Sequence, residues 1–360
     1  MTIVYNGIDR QHRKENIMSE FYKEMCQQPE SLELLLERYK SNYPPALALA
    51  KAIEKKNIRE FVFTGMGSSY FIGYIACAIL RKHGIQASAH EAKEFATYGL
   101  NTLQDGAMLF IISQSGSSKE ILELCEKIPH DDNITIVTNN ENKPLYERGI
   151  AKFLIYAGDE YTTATKTYTN TIAAVLCISD IILKSLGKPS VNFLEGMREC
   201  INKMRDIIDE DSDNLTHFFK DAKYICLVGG GASYCSASHA ELVLEEAGKL
   251  YSTRYLPAQF LHGPVELIDT GFNVIAFDFS EDTREETDRI IDNVLTYGGK
   301  ICVLSNRKIE LTHPQFLSVY IDLQNEFVAP LLEIIPIELF VYKLGEQRGL
   351  NPGILTRVRK

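Results

Sequence analysis

The residues best suited to chemistry lie in one short segment, ISQSGSSKEILELCEKI, which follows an apolar run. Ser113, Gln114, Ser115 and Ser118 carry hydroxyl or amide donors where a predicted strand gives way to a predicted helix. The start of a helix offers unpaired N–H groups and a partial positive charge of about half a unit, which suits a phosphate. Gly116 would let the backbone approach such a ligand closely. We therefore predict a phosphate-binding loop, in which one serine caps the helix and the others serve the ligand.

A simpler interpretation is that Ser117 or Ser118 caps the helix and the remaining serines lie in a solvated loop. A second group of small residues, Gly67, Ser68 and Ser69, argues against it because this group also follows a predicted strand. Ligands bind open α/β sheets at the carboxyl ends of the strands, where both loops would lie. We therefore expect both loops to face one ligand.

The elements that must position these loops alternate between strand and helix. Apolar runs such as EFVFTG and AMLFII are each followed by a helix-patterned segment, which predicts parallel sheets covered by helices. The order repeats, since FVFTGMGSSY aligns with YICLVGGGASY later in the chain. We predict an α/β chain with an N-terminal helical segment at 1–44, domains at 45–195 and 196–345, and a tail at 346–360.

The second half should not bind phosphate. Its counterpart to the serine segment is AFDFSEDTREE, in which Asp278, Glu281 and Asp282 would repel an anion. We therefore expect the phosphate to bind the first half only.

The overall composition excludes several classes of protein. The formal net charge is −10, whereas nucleic acids and anionic membranes are bound through basic patches, so neither is expected as a partner. The polar N-terminus and the absence of an apolar run of ~18 residues favour a cytoplasmic protein. The cysteines and histidines show no metal-ligand spacing, and the glycine-rich turns match no nucleotide motif. We expect neither a metal nor a cofactor.

The motifs GMGSSY, ISQSGSSKE and YLPAQFLHGPVELID, set in a duplicated α/β plan, resemble the sugar isomerase (SIS) family over roughly residues 17–360. The resemblance is closest to the tandem pair in the isomerase half of glucosamine-6-phosphate synthase and to the related deglycases. It implies two flavodoxin-like sandwiches, each around a five-stranded parallel sheet, and a tail over the active site. It also implies that Gly67 contacts the substrate and that a 6-phospho sugar is bound in the serine loop. The implied phosphate ligands are Ser69, Ser113, Gln114, Ser115 and Ser118.

A candidate proton shuttle lies in the predicted helix SASHAELVLEEAGKL. Its buried stripe would consist of Ala240, Val243, Ala247 and Leu250. Glu246 lies at the edge of that stripe and Glu245 nearly opposite, so we expect Glu246 to be partly buried. Burial raises a carboxyl pKa, which would suit Glu246 to proton transfer; otherwise it is an ordinary surface charge. The resemblance implies that Glu246 moves the proton at sugar C1 or C2.

His262 lies in the turn LHGP, and its near-neutral reference pKa suits protonation of a ring oxygen. The alternative is a hydrogen-bonded loop histidine. The resemblance implies that His262 opens the sugar ring of a neighbouring subunit, and hence at least a homodimer. It also implies that a loop with Thr162 and Ala164 at its contact positions closes on the sugar, although a capped helix start explains the same residues.

Two positions depart from the synthase. Val243 stands where the synthase has a lysine, and Arg357 stands where it has a lysine that forms an imine with the ketose. Arginine stays protonated and does not readily form that imine. Arg357 is then either a contact for phosphate or carboxylate, or part of a solvated tail.

The surviving pair of glutamate and histidine is similar to deglycases of 6-phosphorylated Amadori compounds. We predict an enzyme that opens the ring of a 6-phosphorylated ketosamine or amino sugar, moves a proton between C1 and C2, and releases an amine. One alternative is an aldose-ketose isomerase or an amino-sugar phosphate deaminase without a glutamine-hydrolysing domain. Another is a non-catalytic sugar-phosphate sensor. Glu246 directed toward the phosphate loop would favour the enzyme.

Overall fold

The computed structural model describes residues 19–40, 42–191 and 193–357. The strands of the first sheet are β1 (Glu60–Gly65), β2 (Gln86–Glu91), β3 (Ala107–Ile112), β4 (Ile134–Thr138) and β5 (Ala151–Leu154). The strands of the second sheet are β6 (Tyr224–Gly229), β7 (Tyr251–Tyr255), β8 (Asn273–Asp278), β9 (Lys300–Ser305) and β10 (Phe316–Tyr320). Residues 1–18 of the predicted N-terminal segment, and the last three residues of the predicted tail, lie outside the described residues.

Helices account for most of the remaining described chain. The α-helices of five residues or more are α1 (Glu20–Cys26), α2 (Gln28–Arg38), α3 (Pro44–Lys56), α4 (Ser68–Lys82), α5 (Lys119–Lys127), α6 (Lys166–Ser185), α7 (Phe193–Glu210), α8 (Asn214–Phe218), α9 (Ser233–Glu246), α10 (Pro257–Leu261), α11 (Arg284–Thr296) and α12 (Pro330–Gln347).

Both sheets have the same topology. The first has the order β2-β1-β3-β4-β5, and the second, read from its other edge, has the order β7-β6-β8-β9-β10. Neighbouring strands pair in parallel in both sheets. The predicted α/β fold with two tandem flavodoxin-like units is therefore confirmed.

The sequence forms these sheets because their central strands are apolar on both faces. Every residue of β3 and of β8 is buried, as expected for parallel strands covered by helices on each side. Helix α4 packs on the first sheet, α9 packs on the second, and the two helices pack against each other. A continuous apolar core therefore joins the units and brings the start of α4 close to α9.

Two further observations concern the chain as a whole. Among the helices of the described ranges, none combines the length and the apolar character needed to cross a bilayer. All eight cysteines are free, and six of them are buried. Burial raises the pKa of these thiols, as for Cys77, whose pKa rises to about 11, so they remain protonated packing residues.

Candidate active site

The serine loop follows β3 and turns tightly at Gly116. Ser113 is buried, its Oγ accepts a hydrogen bond from the Gly116 N–H at 3.3 Å, and Ser118 Oγ lies 3.5 Å from Ser113 Oγ. Gly116 has a φ of +64°, and a Cβ there would lie 3.1 Å from both Lys143 Cβ and Thr138 Oγ1. The loop thus gathers two hydroxyls beside a glycine that no larger residue replaces without strain.

The structure corrects the prediction that one serine caps α5. Ser118 occupies the N-cap position, yet its hydroxyl makes no capping hydrogen bond. Ser115 Oγ accepts instead from the Ser117 N–H at 3.3 Å. The Ser118 hydroxyl and the start of α5 therefore remain open to an anion.

Ser69 lies beside the same strand end. A Cβ at Gly65 would come within 2.8 Å of both Ser69 Cβ and the Ile112 carbonyl oxygen. The bare backbone at Gly65 therefore lets the turn at 66–69 approach the end of β3, one residue before the serine loop. Within that turn, Gly67 has a φ of +50° and faces α9.

Gln114 connects the serine loop to the next loop of the sheet. Its carbonyl accepts a hydrogen bond from the Asn139 N–H at 3.1 Å, and the Asn139 side chain donates to the Gly158 carbonyl at 2.7 Å. Gly158 opens the segment 158–165, which we call the sugar loop because it carries Thr162 and Ala164. The serine loop and the sugar loop therefore border the same end of the first sheet.

Two glutamates hold the sugar loop. Glu24 of α1 accepts from the Tyr161 N–H at 2.6 Å and from the Thr162 hydroxyl. Glu160 accepts from the Thr165 N–H at 3.0 Å and from the N–H of the second residue of α6. A glutamate therefore satisfies the start of α6, and the threonine hydroxyls do not cap it.

Glu246 is the last residue of α9 and is half-buried, whereas Glu245 is exposed. This is the predicted pattern, and the predicted stripe is buried throughout. Its members are Ala240, Val243, Ala247 and Leu250. Burial raises the pKa of Glu246, and the hydroxyl of Thr163 in the sugar loop opposes that rise. Glu246 of the second unit therefore lies close to Thr163 of the first, although the buried Thr163 hydroxyl makes no hydrogen bond.

The C-terminal tail crosses the sugar loop. The Thr163 N–H donates to the Gly353 carbonyl at 3.1 Å, and a Cβ at Gly353 would come within 2.7 Å of Thr162 Cβ. Arg357, at the end of the described chain, is exposed. The tail thus packs on the sugar loop, while the Arg357 side chain is exposed to solvent.

His262 is not placed beside Glu246 of its own chain. It ends α10 and is exposed. Phe260, two residues earlier, is buried with α11 on one face of the second sheet, whereas α9 covers the other face. One chain therefore assembles the serine loop, the sugar loop and Glu246 but leaves His262 on an outer surface.

Sequence reasoning missed a contact between the units at this site. His239 is fully buried, and its Nδ1 lies 2.9 Å from Ser68 Oγ. Burial lowers the pKa of His239 to about 3, which keeps the ring neutral. The feature of the sequence that could have revealed this residue is the spacing of seven positions between His239 and Glu246, which puts both on one face of α9.

No metal site is evident in the part of the chain that the structure describes, where no three histidine, cysteine, aspartate or glutamate side chains are placed to hold an ion. The chemistry available at the site is hydrogen bonding to an anion and proton transfer by a carboxyl group.

Comparison with known proteins identifies the family. The SIS domain profile matches residues 54–178 and 218–344, which are the two units. The chain belongs to the SIS domain family. It carries the domain twice, as the sequence motifs predict.

Relatives with similar sequences include aminotransferases. The isomerizing glutamine–fructose-6-phosphate aminotransferase of Thermococcus kodakarensis is 25% identical over 311 residues, covering 84% of this chain and 51% of that protein. The enzyme of the same name from Thermotoga maritima is 25% identical over 346 residues, covering 92% of this chain and 56% of that protein. This SIS chain thus spans about half the length of these curated relatives.

Solved structures share the fold over most of both chains. The C-terminal domain of the Francisella tularensis glucosamine-fructose-6-phosphate aminotransferase has a TM-score of 0.80 at 22% identity, covering 93% of this chain and 98% of that one. Tagatose-6-phosphate ketose/aldose isomerase from Escherichia coli has a TM-score of 0.73 at 18% identity, covering 95% and 97%. Glucosamine-6-phosphate deaminase from Thermotoga maritima has a TM-score of 0.73 at 18% identity, covering 95% and 98%.

Proposed function

We propose that this SIS protein is an enzyme that deglycates a 6-phosphorylated ketosamine, yielding a hexose 6-phosphate and an amine. The observation that carries the proposal is the position of Glu246. Its half-buried carboxyl group faces the sugar loop across the boundary between the two units. A carboxyl with a raised pKa, beside a loop that borders an anion site, is equipped to move protons on a bound phosphosugar.

The phosphate would be held without a positively charged side chain. Ser113 and Ser118 place their hydroxyls 3.5 Å apart next to the start of α5, and Ser69 approaches the same strand end. Backbone N–H groups at a helix start bind a dianion well. Gln114 and Ser115 complete the proposed set, which anchors one end of the sugar and directs the other toward Glu246.

In the proposed reaction a proton moves from C1 to C2 of the open-chain ketosamine. The Glu246 carboxylate removes a proton from C1 while the C2 oxygen takes up a proton from water, which gives an enaminol. Glu246 then returns its proton to C2 and the nitrogen releases its own proton to water, which gives an imine at C1. Water then adds to the imine, the C–N bond breaks, and the amine leaves with a hexose 6-phosphate. His262 of the partner subunit would open the sugar ring first, because His262 is exposed in its own chain.

Two substitutions relative to the synthase favour a deglycase. Val243 is fully buried in the core where the synthase has a lysine, and Arg357 replaces the lysine that forms an imine. Isomerisation of a ketose 6-phosphate and deamination of an amino-sugar 6-phosphate use the same proton transfer. Fold relatives with those names exist, so both reactions belong in the test.

The test is an assay of a substrate panel. Purified protein is incubated with 6-phosphorylated fructosamines, amino-sugar 6-phosphates and ketose 6-phosphates, and the released amine and hexose phosphate are measured. We expect amine release from the fructosamines to be the fastest reaction. Conversion of the ketose phosphates alone would assign the isomerase, and binding without turnover of any compound would assign the sensor.

Glu246→Gln should lower that turnover at least about 1,000-fold and leave hexose 6-phosphate binding unchanged. The matched control is Glu245→Gln, since Glu245 is the adjacent, exposed glutamate. Because the carboxylate is the active base, wild-type turnover should rise with pH through the pKa of Glu246, which burial places above 4.5. Full activity in Glu246→Gln would contradict the assignment.

The shared site is tested by mixing variants. Glu246→Gln and His262→Ala should each be inactive on cyclic substrates. If His262 serves the neighbouring subunit, random mixing of the two variants should restore about a quarter of the wild-type sites of a dimer. No recovery after subunit exchange would show that the site is not shared between subunits in this way.

A further inference from the structure

His239 lies between two segments of the first unit that would contact a substrate. Its Nδ1 is 2.9 Å from the hydroxyl of Ser68, in the turn 66–69. The carbonyl of Ala164, in the sugar loop, also lies beside the ring, where it opposes the fall in the pKa of His239. A side chain of the second unit is thus hydrogen-bonded to one segment and lies close to the other.

His239 and Glu246 lie on the same face of α9. Seven residues at 100° per residue complete two helical turns to within ~20°, over a rise of ~10.5 Å. Glu246 lies close to Thr163 of the sugar loop, and His239 lies close to Ala164 of the same loop, in neither case with a hydrogen bond. One helix face therefore carries both the proposed base and the contact with the turn 66–69.

We infer that His239 is a positioning residue, which holds the turn 66–69 of the first unit at a fixed place relative to Glu246 of the second. The inference rests on the proposed function, because it takes the turn to be a ligand contact and Glu246 to be the base. The hydrogen bond joins residues 171 positions apart in the chain. It therefore fixes a spacing that neither unit determines alone.

The surroundings hold the ring in one orientation. The imidazole stacks on Tyr168 with ring centroids 3.6 Å apart and planes 19° apart. The Tyr168 hydroxyl in turn lies 3.3 Å from Cys235 Sγ, one turn earlier on α9. A stacked ring that stays neutral keeps one N–H and one acceptor nitrogen, so its bond to Ser68 does not depend on pH near neutrality.

Hydrogen exchange tests the positioning role without any substrate. His239→Leu and Ser68→Ala should each speed exchange of the amides at 67–70 about tenfold, while amides at 113–118 change less than about twofold. His239→Asn should restore protection, because its side-chain amide reaches the place of Nδ1. The control is Ser179→Ala, a buried serine whose hydroxyl bonds within its own helix at 2.8 Å.

Kinetics on the fructosamine panel test the consequence. His239→Leu and Ser68→Ala should each lower kcat about tenfold, with the Kd for a non-reacting hexose 6-phosphate within about threefold of wild type. The double variant should be no slower than either single variant, since both remove the same hydrogen bond. His239→Asn should recover most of the lost kcat. A purely structural role would lower stability without this split between kcat and Kd.

The outcomes separate the two proposals. If wild-type protein turns over no compound of the panel, the proposed function fails, and exchange at 67–70 still decides whether His239 holds the turn. If Glu246→Gln abolishes turnover but His239→Leu leaves exchange at 67–70 unchanged, the positioning role is overturned and the proposed function stands. Additive losses of kcat in the double variant would likewise overturn it.

Discussion

The turns that follow β3 and β8 occupy equivalent places in the two units, yet they carry opposite chemistry. The shared strand order and register align Ser113 with Asp278. Ser113 presents a hydroxyl beside that of Ser118, whereas Asp278 presents a fully buried carboxylate to which Arg307 Nε donates at 2.6 Å. One unit leaves neutral donors at this point, and the other places an ion pair there.

The turns that follow β1 and β6 differ in the same way. The sequences GMGSSY and GGGASY align Ser69 with Ser233. Ser233 Oγ donates to Glu333 of α12 at 2.5 Å, and burial raises the pKa of that carboxyl group to about 7. In the second unit, carboxyl groups of the protein therefore occupy the two positions that are equivalent to the proposed anion contacts at Ser113 and Ser69.

This comparison corrects the reason for expecting phosphate in the first unit only. The sequence suggests that Asp278, Glu281 and Asp282 repel an anion, but Glu281 and Asp282 are exposed and Asp278 is paired with Arg307. The second unit differs from the first because an internal ion pair occupies the position equivalent to Ser113, more than because its carboxylates repel an anion. On the proposed function, a duplicated fold thus keeps one ligand position and closes its copy with a few substitutions.

The largest expected effect comes from giving the first unit the residue of the second. Ser113→Asp should weaken hexose 6-phosphate binding about 1,000-fold, or ~4 kcal/mol, because it removes a donor and sets a like charge against the phosphate. Isothermal titration calorimetry measures the change. Ser113→Ala removes the donor, and the acceptor of the Gly116 N–H, without adding a charge, and should weaken binding about tenfold. Near-wild-type binding by Ser113→Asp would mean that the phosphate binds elsewhere.

The second prediction concerns the ion pair of the second unit. Arg307→Ala should lower the free energy of unfolding by about 3 kcal/mol at pH 7, because Asp278 would stay buried without its partner. Burial raises the pKa of Asp278 and Arg307 opposes that rise. In the variant the folded-state pKa therefore lies further above the unfolded value, so the loss should grow as pH rises from 4 to 7. Urea unfolding at several pH values measures it.

A surface pair provides the control for that measurement. Arg205→Ala removes contacts with Glu30 and Glu33, whose side chains are 64% and 50% exposed, and should change stability by less than about 1 kcal/mol. Phosphosugar affinity should be unchanged in both arginine variants. If Arg307→Ala lowers the free energy of unfolding no more than Arg205→Ala does, the buried ion pair contributes no more to stability than a surface pair.

Much of the fold could be predicted because each central strand is a local apolar run between turn residues. The elements that were missed have weaker local patterns. β10 is an edge strand with only Phe316 buried, and α12 contains Pro336 together with the buried carboxyl groups of Glu333 and Glu338. Their positions depend on contacts with distant elements, which a local pattern does not record.

In the candidate site, too, the features that could be predicted are local in sequence and those that were missed are not. The serine loop is continuous in sequence, and the half-burial of Glu246 follows from helix geometry. The support around them is not local, since Glu24 holds the Thr162 hydroxyl across 138 positions and His239 reaches Ser68 across 171. Such contacts depend on how the two units pack together.

The smallest expected effect concerns the glycine of the serine loop. Gly116→Ala should lower the free energy of unfolding by about 1–2 kcal/mol, because Gly116 has a φ of +64° and the new Cβ would crowd Lys143 and Thr138.

Gly231, in the turn after β6, has a φ of +58°, but a Cβ there would meet no heavy atom within 4 Å. Gly231→Ala should therefore lower the free energy of unfolding only by the cost of a positive φ in alanine, about 1 kcal/mol. It should leave phosphosugar binding unchanged. Urea unfolding and calorimetry on both variants measure the difference. Equal stability losses with equal affinity would mean that the crowding at Gly116 relaxes freely, so that the turn after β3 is no more constrained at Gly116 than the turn after β6 is at Gly231.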